Sequence, residues 1–123
     1  MSTASRPAAD WQVICLCAEW CGVCREWHEA FGTLRERYPH VAFAWIDVED
    51  EADAMGDVDV ETFPTLLVAK GDRARFLGPV QPSAAQVSRV LDGFLADPHD
   101  GRDAPPPAGA LLARLRTRML PHR

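Results

Sequence analysis

The chain has 123 residues, 47% of them hydrophobic and 25% charged. This is the composition of one globular domain and excludes a disordered chain. No apolar run nears the roughly 20 residues that span a bilayer. The formal net charge of −5 is unevenly placed: residues 1–97 carry 8 Lys and Arg against 16 Asp and Glu, whereas residues 98–123 carry 5 Arg against 2 Asp. A body this acidic lacks the basic face that phosphate contacts need, so neither nucleic acid nor a membrane is an expected partner.

The first residues, Met1-Ser-Thr-Ala-Ser-Arg-Pro, lack the basic-then-apolar order of a secretory signal, and the expected location is cytoplasmic. Trp11 to Ala18 is apolar on both faces except at Gln12, the pattern of a strand buried on both sides of a sheet. A helical pattern follows, with Cys24, Trp27, Phe31, Leu34 and Tyr38 at three- and four-residue spacing and Pro39 as its stop. Val41 to Val48 reads as a second buried strand, so the unit is β-α-β with parallel strands. The acidic segment from Asp47 to Glu61 lacks calcium-loop spacing and reads as a solvated loop, with one helical turn near Ala52–Met55 ended by Gly56.

Thr65–Ala69 and Arg73–Leu77, joined by Lys70-Gly71-Asp72, form a hairpin. Ser83 and Gln86 make a capping-box pattern before a last helix whose buried face is Val87, Val90, Leu91, Phe94 and Leu95. The expected fold class is therefore α/β, a four-stranded mixed sheet of β-α-β plus β-β-α units with helices on both faces. This domain covers residues 1–97. Residues 98–109, with Pro105-Pro106-Pro107, read as a stiff linker. Residues 110–123 form a short basic amphipathic helix with Leu111, Leu112, Leu115 and Met119 on one face. Three roles stay open for this tail: covering the sheet, pairing with another subunit, or binding a partner.

All four cysteines, Cys15, Cys17, Cys21 and Cys24, lie within ten residues. A disulfide framework for a small secreted fold spreads its cysteines along the chain, so this cluster points to redox chemistry, a metal site or packing. Cys21-Gly22-Val23-Cys24 falls where the first strand turns into the helix, outside the carboxyl end of the sheet. Unpaired N–H groups and the helix macrodipole there stabilise a thiolate, the species that attacks a disulfide. Cys24 lies one turn deeper on the same face, where it can resolve a mixed disulfide. Gly22 lets the backbone turn and leaves the first sulfur open, and Trp20 shields one flank. A cis Pro64 would expose the Thr62 and Phe63 backbone for pairing with an extended substrate.

Cys15 and Cys17, at i and i+2, share one strand face and read as small apolar core residues; a bond between them would need Cα atoms about 6.6 Å apart with parallel side chains. A sharper alternative has Cys15 exchanging with Cys24. His28, one turn beyond Cys24, is a candidate influence on that thiol, and Trp27 and Trp45 read as core.

Ala18-Glu19-Trp20-Cys21-Gly22-Val23-Cys24, Phe63-Pro64-Thr65-Leu66-Leu67, the Lys70-Gly71-Asp72 hairpin and Gly78 together resemble the thioredoxin family, in consistent order over residues 10–97. The resemblance implies thiol–disulfide exchange with protein disulfide substrates and a redox partner, as part of cell redox homeostasis, without a cofactor. It assigns Cys21 as nucleophile and Cys24 as resolving thiol. It also assigns Trp20, Gly22, Val23, Thr62, Phe63, Pro64 and Gly78 to the substrate surface. The chain departs from the family pattern at Val23, where thioredoxins have proline, and at Glu29, where the family helix has its kinking proline. The family's buried Asp falls at Cys15 and its lysine partner near Trp45. Only ten residues precede Trp11, so the family's first strand and helix are expected to be missing. Two other functions stay open: a thioredoxin-like binding or redox-sensing module, and a four-cysteine metal site.

Overall fold

The computed structural model describes residues 11–18, 21–56, 58, 60, 62–96 and 103–118. Among these, β1 (Trp11–Cys17), α1 (Gly22–Arg37), β2 (Ala42–Asp47), α2 (Ala52–Met55), β3 (Thr65–Lys70), β4 (Arg73–Pro79), α3 (Ala84–Ala96) and α4 (Pro106–Arg118) follow in order. The sheet runs β2-β1-β3-β4, with β1 parallel to β2 and antiparallel to β3, and β3 antiparallel to β4. This is the α/β fold that the apolar runs and the hairpin imply.

Both faces of the sheet are covered, and the period of two along each strand divides its side chains between them. On one face Trp11, Val13, Cys15 and Cys17 of β1 join Leu66 and Val68 of β3 against α1 and α3. On the other, Ile14, Leu16, Leu67 and Ala69 meet α2 and α4. The central strands are therefore buried on both sides, as the continuous apolar pattern requires. Val41–Val48, read from sequence as equally buried, supplies the edge strand β2, where only Ile46 is buried. An all-apolar run cannot distinguish a central strand from an edge strand whose outer flank lacks a neighbour.

The helix ends follow local chemistry. Tyr38, forced out of helical geometry by the proline after it, still donates its N–H to Leu34 O at 3.0 Å. Arg35 and Arg37 lie in the last turn, where the macrodipole favours cations. At the start of α3 the Gln86 N–H donates to Ser83 Oγ at 3.4 Å, half of the expected capping box. Gly56 ends α2 at φ 59°, and an added Cβ would come within 2.9 Å of the Arg114 guanidinium.

The C-terminal helix begins at Pro106, inside the segment 98–109 that reads as linker. The first turn of a helix tolerates prolines, because its N–H groups have no intrahelical partner. Ala108, Leu111, Leu112 and Leu115 pack into the second core, so α4 covers the sheet. Its arginines reach back to the protein. Arg114 donates to Ala54 O (2.6 Å) and Met55 O (3.0 Å) at the end of α2, and Arg116 Nη2 donates to Oε1 of buried Gln12 at 3.0 Å.

Candidate active site

The site forms where β1 runs into α1. Cys21 caps the helix: its N–H donates to Ala18 O at 3.0 Å and its carbonyl accepts from the Arg25 N–H at 3.2 Å. Its side chain is half-buried and its thiol free. Cys24, in the first turn, is buried against the strand. Cys17, at the end of β1 and on the sheet face toward α1, is also buried, and the two Cα atoms lie 5.9 Å apart. Their sulfurs form a disulfide.

This pairing differs from the reading of Cys17 as packing and of Cys21 with Cys24 as the bonded pair. The physical reason is the direction of the side chains. Alternation along β1 turns Cys17 toward the helix, and the inward face of α1 brings Cys24 onto it. The spacing i, i+2 between Cys15 and Cys17 carried that signal, since both had to face the same helix. In this oxidised form Cys17 and Cys24 are bonded to each other and do not act as thiolate ligands. Among the described residues no cluster of His, Cys, Asp and Glu is arranged to hold a metal ion.

Cys15 lies beneath the disulfide. The Trp27 indole N–H donates to its sulfur at 3.3 Å, and its own sulfur is 3.7 Å from Cys17 Sγ. A disulfide sulfur has no proton, so this second contact runs from Cys15 S–H to Cys17. Burial pushes the Cys15 thiol up from 9.0 to about 12, and the indole hydrogen bond offsets only part of that. Cys15 is paired in register with Trp45 of β2, so the two positions where the family keeps its acid and lysine do lie side by side. Here they hold a neutral thiol and an indole.

The other expected site residues are spread around this junction. Val23 is 43% exposed, the one large hydrophobic so exposed among the described residues, and at Gly22 before it an added Cβ would meet the Arg25 guanidinium at 3.9 Å. The Phe63–Pro64 peptide is cis. Pro64 precedes Thr65, whose register partner Leu16 is the residue before Cys17. Phe63 packs on the same core cluster as Cys21. Thr62 and Gly78 line a separate cleft of about 330 Å³ with Val58, Val60 and Leu77. Trp20 lies outside the described residues.

A further cleft, about 490 Å³, is lined by Cys24 together with Arg25, His28, Trp45, Asp47 and Asp50. His28 stands edge-on to Trp45 with ring centroids 4.7 Å apart, so it reaches the cleft as part of an aromatic wall. Asp47 is paired in register with Cys17, a placement that needed the β1–β2 register.

The thioredoxin family model matches residues 5–88 of this chain. The chain belongs to the thioredoxin family. Among thioredoxin relatives, an H-type thioredoxin of Fagopyrum esculentum is 38% identical over 58 residues, covering 47% of this chain and 50% of that protein. A thioredoxin of Ophiophagus hannah is 37% identical over 60 residues, 49% of this chain and 57% of that protein. The chain thus spans about half the length of the relatives it matches. The thioredoxin of Fasciola hepatica superposes with a TM-score of 0.62 at 22% identity, over 71% of this chain and 83% of that one, a likeness of fold. The family match ends before α4, so the helix that closes the second core lies beyond the thioredoxin model.

Proposed function

We propose that this chain catalyses thiol–disulfide exchange with protein disulfides, Cys21 attacking and Cys24 resolving. One observation carries the reading: at the first turn of α1 a half-exposed free thiol stands three residues ahead of a buried cysteine. In the reduced protein the Cys21 thiolate attacks one sulfur of a substrate disulfide and expels the other as a thiolate, which takes up a proton. Cys24 then attacks Cys21 Sγ, the mixed disulfide breaks, and the substrate leaves reduced while Cys21 and Cys24 become oxidised. An unidentified redox partner returns two electrons to the pair, which suits a reducing compartment such as the cytoplasm.

The substrate surface in this reading combines exposed Val23 with the Thr62–Pro64 segment and Gly78. An extended chain would add there as a strand, competing with the Thr65 hydroxyl, which donates to the Thr62 carbonyl at 2.6 Å. The test is insulin reduction driven by dithiothreitol, comparing wild type with Cys21→Ser. Wild type is expected to accelerate precipitation of the insulin B chain, and C21S to fall to the uncatalysed rate. Equal turnover by the two proteins would overturn the assignment.

A redox-sensing role is favoured by a separate observation. With Cys24 bonded to Cys17, Cys21 has no resolving partner, so this oxidised form holds a disulfide without turning over.

A further inference from the structure

We propose that Cys17 is a third redox-active sulfur, and that the oxidised protein moves one disulfide between an outer Cys21–Cys24 position and an inner Cys17–Cys24 position. The inference rests on the reading of Cys21 and Cys24 as the exchanging pair, and adds an internal partner to it.

Cys24 is common to both positions. On its solvent side stands Cys21, one helical turn away on the same face. On its core side stands Cys17, whose Cα separation of 5.9 Å falls inside the disulfide range of roughly 4.4–6.8 Å. Transfer inward is a single exchange. Cys17, as a thiolate, attacks Cys24 Sγ of the outer disulfide; the Cys17–Cys24 bond forms, the Cys21–Cys24 bond breaks, and Cys21 leaves as a thiolate that takes up a proton. Transfer outward is the reverse, with Cys21 attacking and Cys17 leaving. Neither direction changes the number of disulfides, so no oxidant or reductant is consumed.

The surroundings of Cys17 suit a leaving sulfur. Cys15 S–H points at it across 3.7 Å, held there by the Trp27 indole, and supplies a hydrogen bond to the thiolate as it forms. The relay stops at Cys17, because burial keeps Cys15 itself a thiol. The position in which thioredoxins keep an acid thus holds a hydrogen-bond donor that serves the inner sulfur.

The two positions differ in access. Cys17 and Cys24 are both buried, whereas Cys21 is half-exposed. An external thiol therefore reduces the inner disulfide by way of Cys21, after outward exchange. The inner form protects the oxidised state and suspends turnover until Cys21 reopens it.

All four cysteines precede Arg25 and follow Arg6-Pro7, so one tryptic peptide contains them and labels must be located by fragmentation. The full chain is oxidised with diamide and its free thiols are blocked with N-ethylmaleimide in denaturant at mildly acidic pH. The disulfide sulfurs are then reduced and marked with iodoacetamide. Marks on Cys17 and Cys24, alone or beside a population marked on Cys21 and Cys24, are the expected result. Marks confined to Cys21 and Cys24 would overturn the proposal. The second measurement oxidises Cys21→Ser, which keeps both cysteines of the inner bond and cannot form the outer one, and follows its reduction by dithiothreitol. Reduction is expected to be at least about tenfold slower than in wild type, because the reductant must wait for local opening. Equal rates would overturn the relay. Insulin turnover by wild type is scored separately: its absence, with the inner bond mapped, removes the oxidoreductase reading while leaving the inner disulfide in place.

Discussion

Leu111→Ala tests whether α4 is part of the folded core or a tail. Leu111 is 0% exposed and packs with Ile14, Leu16 and Leu67 on the sheet face opposite α1. Truncation removes buried methyl groups and leaves a cavity that the surrounding strands close only partly, at a cost of about 3 kcal/mol. With an unfolding entropy of roughly 2.1 cal/mol/K per residue, the whole chain has about 0.26 kcal/mol/K, so the melting temperature should fall by about 12 °C. Urea unfolding followed by circular dichroism gives the free energy, and a thermal scan gives the midpoint. Ala110→Ser, on the exposed side of the same helix, is the control, expected within about 0.5 kcal/mol of wild type. If L111A loses less than about 1 kcal/mol, α4 does not contribute a face to the core, and the packing argument fails.

Cys15 gives a pH dependence. Its thiol is raised from 9.0 to about 12 in the folded, oxidised protein, so the folded state holds the proton more tightly than the unfolded one. That contribution is complete below pH 9 and is lost as pH rises from there toward 12; by about pH 10.5 it amounts to a loss of about 2 kcal/mol. Urea denaturation of wild type and Cys15→Ala at pH 8 and at the higher pH should show their stability difference shifting by about this amount in favour of the variant. A constant difference would mean that Cys15 is less desolvated than its position implies. At Gly56, substitution by Ala places a Cβ at positive φ and within 2.9 Å of Arg114, and should cost about 1–2 kcal/mol by chemical denaturation. Arg114→Ala should cost about 1–3 kcal/mol, since it strands the Ala54 carbonyl at the end of α2 and leaves Met55 O with the Val58 N–H alone. Wild-type stability in either variant would contradict the close packing of α2 and α4.

Much of the architecture is legible in local pattern. Continuous apolar runs identified β1 and β3, the Lys70-Gly71-Asp72 turn fixed the hairpin partner of β3, and Gly56 ended the short helix at the expected residue. Cys21 and Cys24 were legible as a strand-to-helix pair because caps and spacing are properties of neighbouring residues. Other features were not. The edge position of β2 depends on strand order, which no single segment encodes. The place of α4 was open because an amphipathic helix states that one face is to be buried, not against what.

The cysteines draw the same line most sharply. By itself, the sequence determined that four sulfurs lie within ten residues, that two sit at the mouth of a helix, and that Cys15 and Cys17 share one face of the strand beneath. Only the packing of α1 on β1 decided which sulfur Cys24 meets. A covalent bond forms between atoms brought together in space, and here the inward face of the helix and the alternation of the strand meet at Cys17.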